Sequence, residues 1–264
     1  VVSLGALGVI IEITLDLIPA FDICQYVYEN LPFEQLANNF DNVFSSAYSV
    51  SLFTNWKKEV FDQVWLKSLH QEDNGQTPPS EFYGATAARL PSHPIQGVEA
   101  VHCTEQLGTP GPWHDRLPHF RLDFTPSNGD ELQSEFLIPR EQAYDALLAI
   151  SKHKEKISPL LHVCEIRSIA SDDLWMSPFY QQDSIGIHFT WKDDWESVKK
   201  ILPEIEDSLI PFQARPHWGK LFTMPKERVT SLYEKLPDFQ RLLDQHDPNG
   251  KFRNDFINNY IFDK

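Results

Sequence analysis

Two apolar runs in the second half of the chain, residues 160–169 and 184–191, have the length of strands and carry functional side chains at alternate positions. Successive side chains on a strand point to opposite faces, so Glu165 and Arg167 share one face while Cys164 and Ile166 turn into packing. By the same rule His188 and Thr190 share a face, opposite Ile187, Phe189 and Trp191. Ionisable groups in such runs are costly unless paired or used. If the two strands pair, four polar side chains meet on one sheet surface. That surface is either a cross-strand salt bridge facing solvent or a grip for a polar ligand. A third cluster, His217-Trp218-Gly219-Lys220, follows Arg215-Pro216, where proline keeps the preceding residue extended. Gly219 would let a ligand approach closely. Lys220 lies between Trp218 and Leu221-Phe222, apolar surroundings that would favour a neutral amine and so a base. The alternative is a lysine snorkelling past a core tryptophan. Together the clusters offer an acid, a guanidinium, two imidazoles, a hydroxyl and an amine, suited to gripping a polyhydroxylated molecule and moving a proton.

The rest of the chain reads as alternating strands and helices. Residues 11–17 alternate apolar side chains with Glu12, Thr14 and Asp16, the pattern of a half-buried strand, and a glycine-containing turn at residues 3–8 precedes it. Strands are expected at 21–28, 48–53, 60–66 and 131–138, and helices at 31–44, after Pro139, after a cap at Asp193 or Asp194, and after Pro225. Residues 247–250 form a turn. Between residues 70 and 118, Pro78, Pro79, Pro91, Pro94, Pro110, Pro112 and Pro118 interrupt any period, so this stretch is a long ordered loop or lid. The recurrence of strand, helix, strand, strand, helix predicts an α+β fold, a large and mainly antiparallel sheet with helices on one face.

A net charge of -15 on 264 residues argues against nucleic acid and anionic membranes as partners. Cys24, Cys103 and Cys164 are odd in number and lack CxxC spacing, so a reducing, cytoplasmic setting is expected. The apolar N-terminal run contains Glu12 and Asp16 and has no basic flank, unlike a signal peptide or a membrane span. Only 11 glycines occur, where a nucleotide-binding domain spends glycines on phosphate-cradling loops. Glu165, His188 and His217 could be a two-His, one-carboxylate metal set, but Arg167 and Lys220 would place two cations beside the ion. No metal is therefore expected. His102, His114 and His119 read as loop and core residues, and neither GxSxG nor a Cys/His pairing suggests acyl transfer. Gln133, in the strand before Pro139, reads as an edge-strand amide.

The segments 3–10 with 14–17, 48–53, 165–167, 188–191, 217–222 and 247–252 resemble the alditol oxidases, within the vanillyl-alcohol-oxidase-like flavoproteins that also include sugar-lactone oxidases. They span almost the whole chain in consistent order. The resemblance implies an FAD-dependent oxidase of which this chain holds residues 1–18 as the terminal strand of the FAD-binding domain and residues 19–264 as the substrate-binding cap, with the rest of the FAD domain missing. It implies that Glu165, Arg167 and Thr190 bind substrate hydroxyls, with Gln133 assisting. Lys220 and His188 would lie at the reacting carbinol, Lys220 as base, with His217, Gly5 and Ile10 on the cofactor side. The implied substrates are a polyol, or a sugar lactone in the nearest rival reading, together with O2. A flavin-free sugar-binding module is the rival from another class.

Overall fold

In the computed structural model, which describes residues 2–70, 79–124 and 131–262, the apolar runs join one ten-stranded sheet. Its strands are β1 (Asp22–Pro32), β2 (Ser49–Thr54), β3 (Val60–Leu69), β4 (Glu81–Phe82), β5 (Ala85–Ala87), β6 (Gly111–Pro112), β7 (Glu131–Pro139), β8 (Leu161–Ile169), β9 (Ser184–Lys192) and β10 (Arg215–Pro216). They run in the order β10-β7-β9-β8-β2-β3-β1-β5-β4, with β6 paired to β1, and every pairing is antiparallel. The α+β fold expected from the alternation of elements is the one found.

One face of the sheet is apolar and lies under helices. Leu52, Val64, Phe136, Ile138, Cys164, Ile166, Ile185, Ile187, Phe189 and Trp191 are buried there in a single cluster. The helices are α1 (Leu36–Phe44), α2 (Trp113–Arg116), α3 (Ala143–Ser151), α4 (Lys154–Ile157), α5 (Trp195–Leu209), α6 (Lys226–Ser231), α7 (Leu236–His246) and α8 (Asp255–Tyr260). Helix α5 shows why the sequence folds this way. The Asp194 carboxylate accepts from the Ser197 backbone N–H at 3.1 Å, satisfying one of the orphan donors of the first turn. Val198, Ile201, Leu202, Ile205 and Leu209 then recur at helical spacing and are all buried. Each such side chain contributes about 1.5–3 kcal/mol of hydrophobic stabilisation.

The opposite face carries the polar residues and is half roofed. The insertion between β3 and β7 lays Cys103, Ala100 and Phe120 against Val27, Phe53, Trp65 and Val163, a second, smaller core. The expected long loop is thus ordered over its described parts and includes β4, β5, β6 and α2; Pro78 lies outside the described residues. The insertion covers the β1-β3-β2 half of the face and reaches Val163 and Glu165 on β8, leaving β9, β7 and the rest of β8 for other use.

The strand expected at residues 11–17 does not form. A strand needs partners for its backbone N–H and C=O groups, and residues 9–20 join no strand among the described residues. Val9, Ile11, Ile13, Leu15 and Leu17 are largely exposed, Ile11 and Leu17 at 94%. The preceding turn is anchored by the Ala6 N–H donating to the Ser3 carbonyl, with Ala6 fully buried.

Candidate functional site

Strand register builds the site. Glu135 on β7 lies opposite His188 on β9, and His188 lies opposite Glu165 on β8, so the three form a row across the sheet. Gln133 faces Thr190 in the next row, and Arg167 faces Gly186 in the row on the other side. The expected face-sharing of Glu165 with Arg167 and of His188 with Thr190 is therefore realised. Cys164 and Ile166 point into the helix-covered core.

Lys220 reaches this row from the far edge. The turn it belongs to is stapled to β7: the His217 N–H donates to the Glu135 carbonyl at 2.9 Å and the Leu221 N–H to the Gln133 carbonyl at 2.8 Å. The Trp218 indole donates to the Met176 carbonyl at 2.8 Å, fixing the other side of the turn. These bonds bring the Lys220 Nζ to 2.5 Å from Glu135 Oε2. This corrects the expectation of an amine in apolar surroundings. Lys220 is one half of an ion pair whose acid is only 3% exposed.

Glu135 is the principal residue that the motifs missed. Its other oxygen, Oε1, accepts from the Arg167 guanidinium at 2.9 Å, so one carboxylate joins both cations. Burial opposes its charge, but Arg167 and Lys220 outweigh burial and hold its pKa down at about 2. Gly186 makes the room: a Cβ there would stand 2.9 Å from Glu135 Oε1. The signal was present in the sequence, since Glu131, Gln133 and Glu135 alternate through a strand as Glu165 and Arg167 do.

Glu165 is similarly enclosed. Its Oε1 accepts from the Ser51 hydroxyl at 2.8 Å and contacts His119 Nε2 at 3.0 Å. Its Oε2 lies 3.6 Å from Arg167 and 4.0 Å from His188 Nδ1. Burial opposes its ionisation, yet His119, Arg167 and Ser51 together hold the carboxyl well below the usual range. His119, read from sequence as a loop or core residue, is thus in direct contact with the site. No local spacing could have revealed it, because the insertion delivers it from 46 residues away. Lys67 lies behind His119; burial lowers its pKa to about 7, against the opposing pull of Glu165.

His188 is pulled to about 4, first by burial and then by Lys220, so it is a neutral imidazole near pH 7. Its Nε2 is buried without a hydrogen-bond partner among the described residues. Gln133 donates to Glu131 at 2.9 Å, and Thr190 is half-buried beside it. His217 is half-buried on the stapled turn, and its Nδ1 accepts from the Gly219 N–H at 3.1 Å. The two N-terminal residues are placed otherwise. Gly5 sits in an exposed turn at a φ of +75°, where an added Cβ would meet nothing within 4 Å, and Ile10 is 76% exposed. No group of three or more His, Cys, Asp or Glu side chains suited to a metal ion occurs among the described residues.

This geometry can bind several hydroxyl groups and take a proton from one of them. The family profile for D-arabinono-1,4-lactone oxidase matches residues 129–260, from β7 to the last helix, which include the whole row. The chain belongs to that family. It is 44% identical over 99% of its length to alditol oxidase of a Streptomyces species, and 24% identical over 97% to L-gulono-1,4-lactone dehydrogenase of Mycobacterium tuberculosis. It spans 61% of the length of each of these relatives. A VAO-type flavoprotein from Myceliophthora thermophila shares the fold at a TM-score of 0.52 and 9% identity, over 88% of this chain and 46% of that one. No helix among the described residues is long and apolar enough to cross a membrane.

Proposed function

We propose that this chain is the substrate-binding part of an FAD-dependent oxidase that converts the terminal CH2OH of an alditol to the aldehyde while O2 becomes H2O2. The observation that carries the reading is the Nε2 of a neutral His188, unpartnered among the described residues and set between two ionised carboxylates and beside Lys220. The resemblance to alditol oxidase at 44% identity supports the alditol over the lactone.

Oxidising a carbinol removes a proton from oxygen and a hydride from carbon. No side chain accepts hydride, and bound FAD would supply that acceptor and the route to O2. The residues present fit the substrate side of such a group, because Nε2 has no hydrogen-bond partner among the described residues and His188 stands on the part of the sheet that the insertion leaves uncovered. His217 on its stapled turn would border the flavin, with Gly5 and Ile10 approaching it from the N-terminal segment. Residues 1–18 would then belong to the FAD-binding domain and residues 19–264 to the cap.

The negative charge of Glu165, 4.0 Å from Nδ1 and beyond a hydrogen bond, favours the tautomer with its proton there and leaves the Nε2 lone pair free. His188 then takes the hydroxyl proton. Lys220, ion-paired with Glu135, would stabilise the developing alkoxide and the anions of oxygen reduction. The role of base thereby moves from Lys220 to His188. Arg167, Glu165, Thr190 and Gln133 bind the remaining hydroxyls. A cytoplasmic setting accords with three buried, free cysteines.

The lactone reading retains one specific support, the matched family profile itself. Purified full-length protein should show flavin absorption between 300 and 500 nm and release H2O2 with xylitol or sorbitol. Turnover of aldonolactones with none of open-chain polyols would favour the rival substrate. Absence of flavin from the full-length protein, even with added FAD, would overturn both oxidase readings.

A further inference from the structure

The insertion does more than roof a hydrophobic patch. Lys67, on β3, is 1% exposed, and its Nζ donates to the carbonyls of Leu117 and Pro118 and meets His119 Nδ1 at 3.3 Å. Below its pKa of about 7 Lys67 is an ammonium, with three N–H donors and no acceptor, and here three acceptors surround it. In that state His119 Nδ1 accepts. A neutral imidazole that accepts at Nδ1 carries its proton on Nε2, which is the atom 3.0 Å from Glu165 Oε1. Burial and the neighbouring Lys67 both depress the His119 pKa, in keeping with a neutral ring. The ring is wedged edge-on between Phe53 and Trp65, with centroids 5.4 and 5.2 Å away. Its N–H therefore has one direction to point.

We infer that Lys67 and His119 form a positioning relay through which the insertion fixes the carboxylate of Glu165, saturating Oε1 and leaving Oε2 to receive a substrate hydroxyl. Ser51 supplies the second donor to Oε1. Among the described residues Oε2 has Arg167 at 3.6 Å and His188 at 4.0 Å, both beyond good hydrogen-bond distance. The two oxygens of one acid thus have separate tasks, one structural and one for binding. The inference rests on the proposed substrate site, and on no contact between His119 and substrate.

Two readouts on the full-length protein test it. In His119→Phe the ring packing survives and the donor is lost. KM for the polyol should rise on the order of tenfold or more with kcat within about threefold, because a binding oxygen is misplaced while His188 and Lys220 are untouched. His119→Gln, which restores an N–H at similar reach, should recover most of the affinity. The second readout needs no turnover: ring 15N shifts at pH 6 should show His119 with its proton on Nε2, and Lys67→Met should lose that preference. An Nδ1-protonated ring in the unmutated protein, or an unchanged KM in His119→Phe, would overturn the relay. If the unmutated protein oxidises lactones instead, the same KM comparison applies to the lactone. If it oxidises neither, the functional reading fails and the tautomer alone decides the relay.

Discussion

Removing the Arg167 guanidinium would leave Glu135 with Lys220 as its remaining cation and strip one donor from the open half of the sheet. Arg167→Ala should lower kcat/KM for polyols about 100-fold, whereas a mere solvent-facing salt bridge would change it little. Gly186→Ala tests the same carboxylate from the opposite strand. The new methyl would meet Glu135 Oε1 at 2.9 Å and the Ile169 side chain at 3.2 Å. Overpacking of this kind costs about 1–3 kcal/mol, so both the melting temperature and kcat/KM should fall. Loss of stability alone, with kinetics unchanged, would show that Glu135 does not order Lys220 and Arg167 for catalysis. His188 gives a pH signature. An ordinary imidazole titrates near ~6.5, but burial and Lys220 bring this one to about 4. The acid limb of kcat/KM should therefore stay level from neutral pH to about pH 5. Between ~6.5 and about 4 the unfolded imidazole is protonated and the folded one is not, so the His188 contribution to stability falls as pH drops through that window. Urea melts of the His188→Asn protein, compared with the parent at pH 7 and pH 5, read that difference.

The strands and helices that were legible in the sequence are those whose own pattern decides them. Strands β7, β8 and β9 alternate or run apolar, and α5 has a cap followed by helical spacing. Asp194→Ala should cost about 1 kcal/mol in chemical denaturation and leave KM unchanged, because α5 lies on the face away from the site. The face-sharing of Glu165, Arg167, His188 and Thr190 followed from the period of two alone. What the sequence could not show depends on partners far along the chain. Lys220 looked apolar beside Trp218 and Leu221, yet its neighbour is Glu135, 85 residues earlier. Ser51 and His119 carry no motif and join Glu165 only through sheet order and the path of the insertion. The strand expected at residues 11–17 has the right alternation, but alternation supplies no hydrogen-bonding partner.

That N-terminal segment bears on the whole protein. Residues 9, 11, 13, 15 and 17 are all apolar and share one side when extended, and none is covered here. If the segment completes a sheet in the FAD-binding domain, Ile11→Lys and Ile13→Lys in the full-length protein should each lose about 1.5–3 kcal/mol and weaken flavin retention. Unchanged melting temperature and flavin content would place the segment in solvent and remove it from that domain.

The row of Glu135, His188 and Glu165 has a last consequence, because it runs across the strands rather than along them. A one-residue slip of β8 would send Glu165 and Arg167 into the helix-covered core and bring Cys164 and Ile166 to the site. The irregularity between Leu161 and Val163, where β8 meets β9, pins the register against such a slip. Catalytic competence and correct assembly are therefore verified by the same alignment. A mispaired molecule would bury unpaired charge, so it would lose stability together with the site.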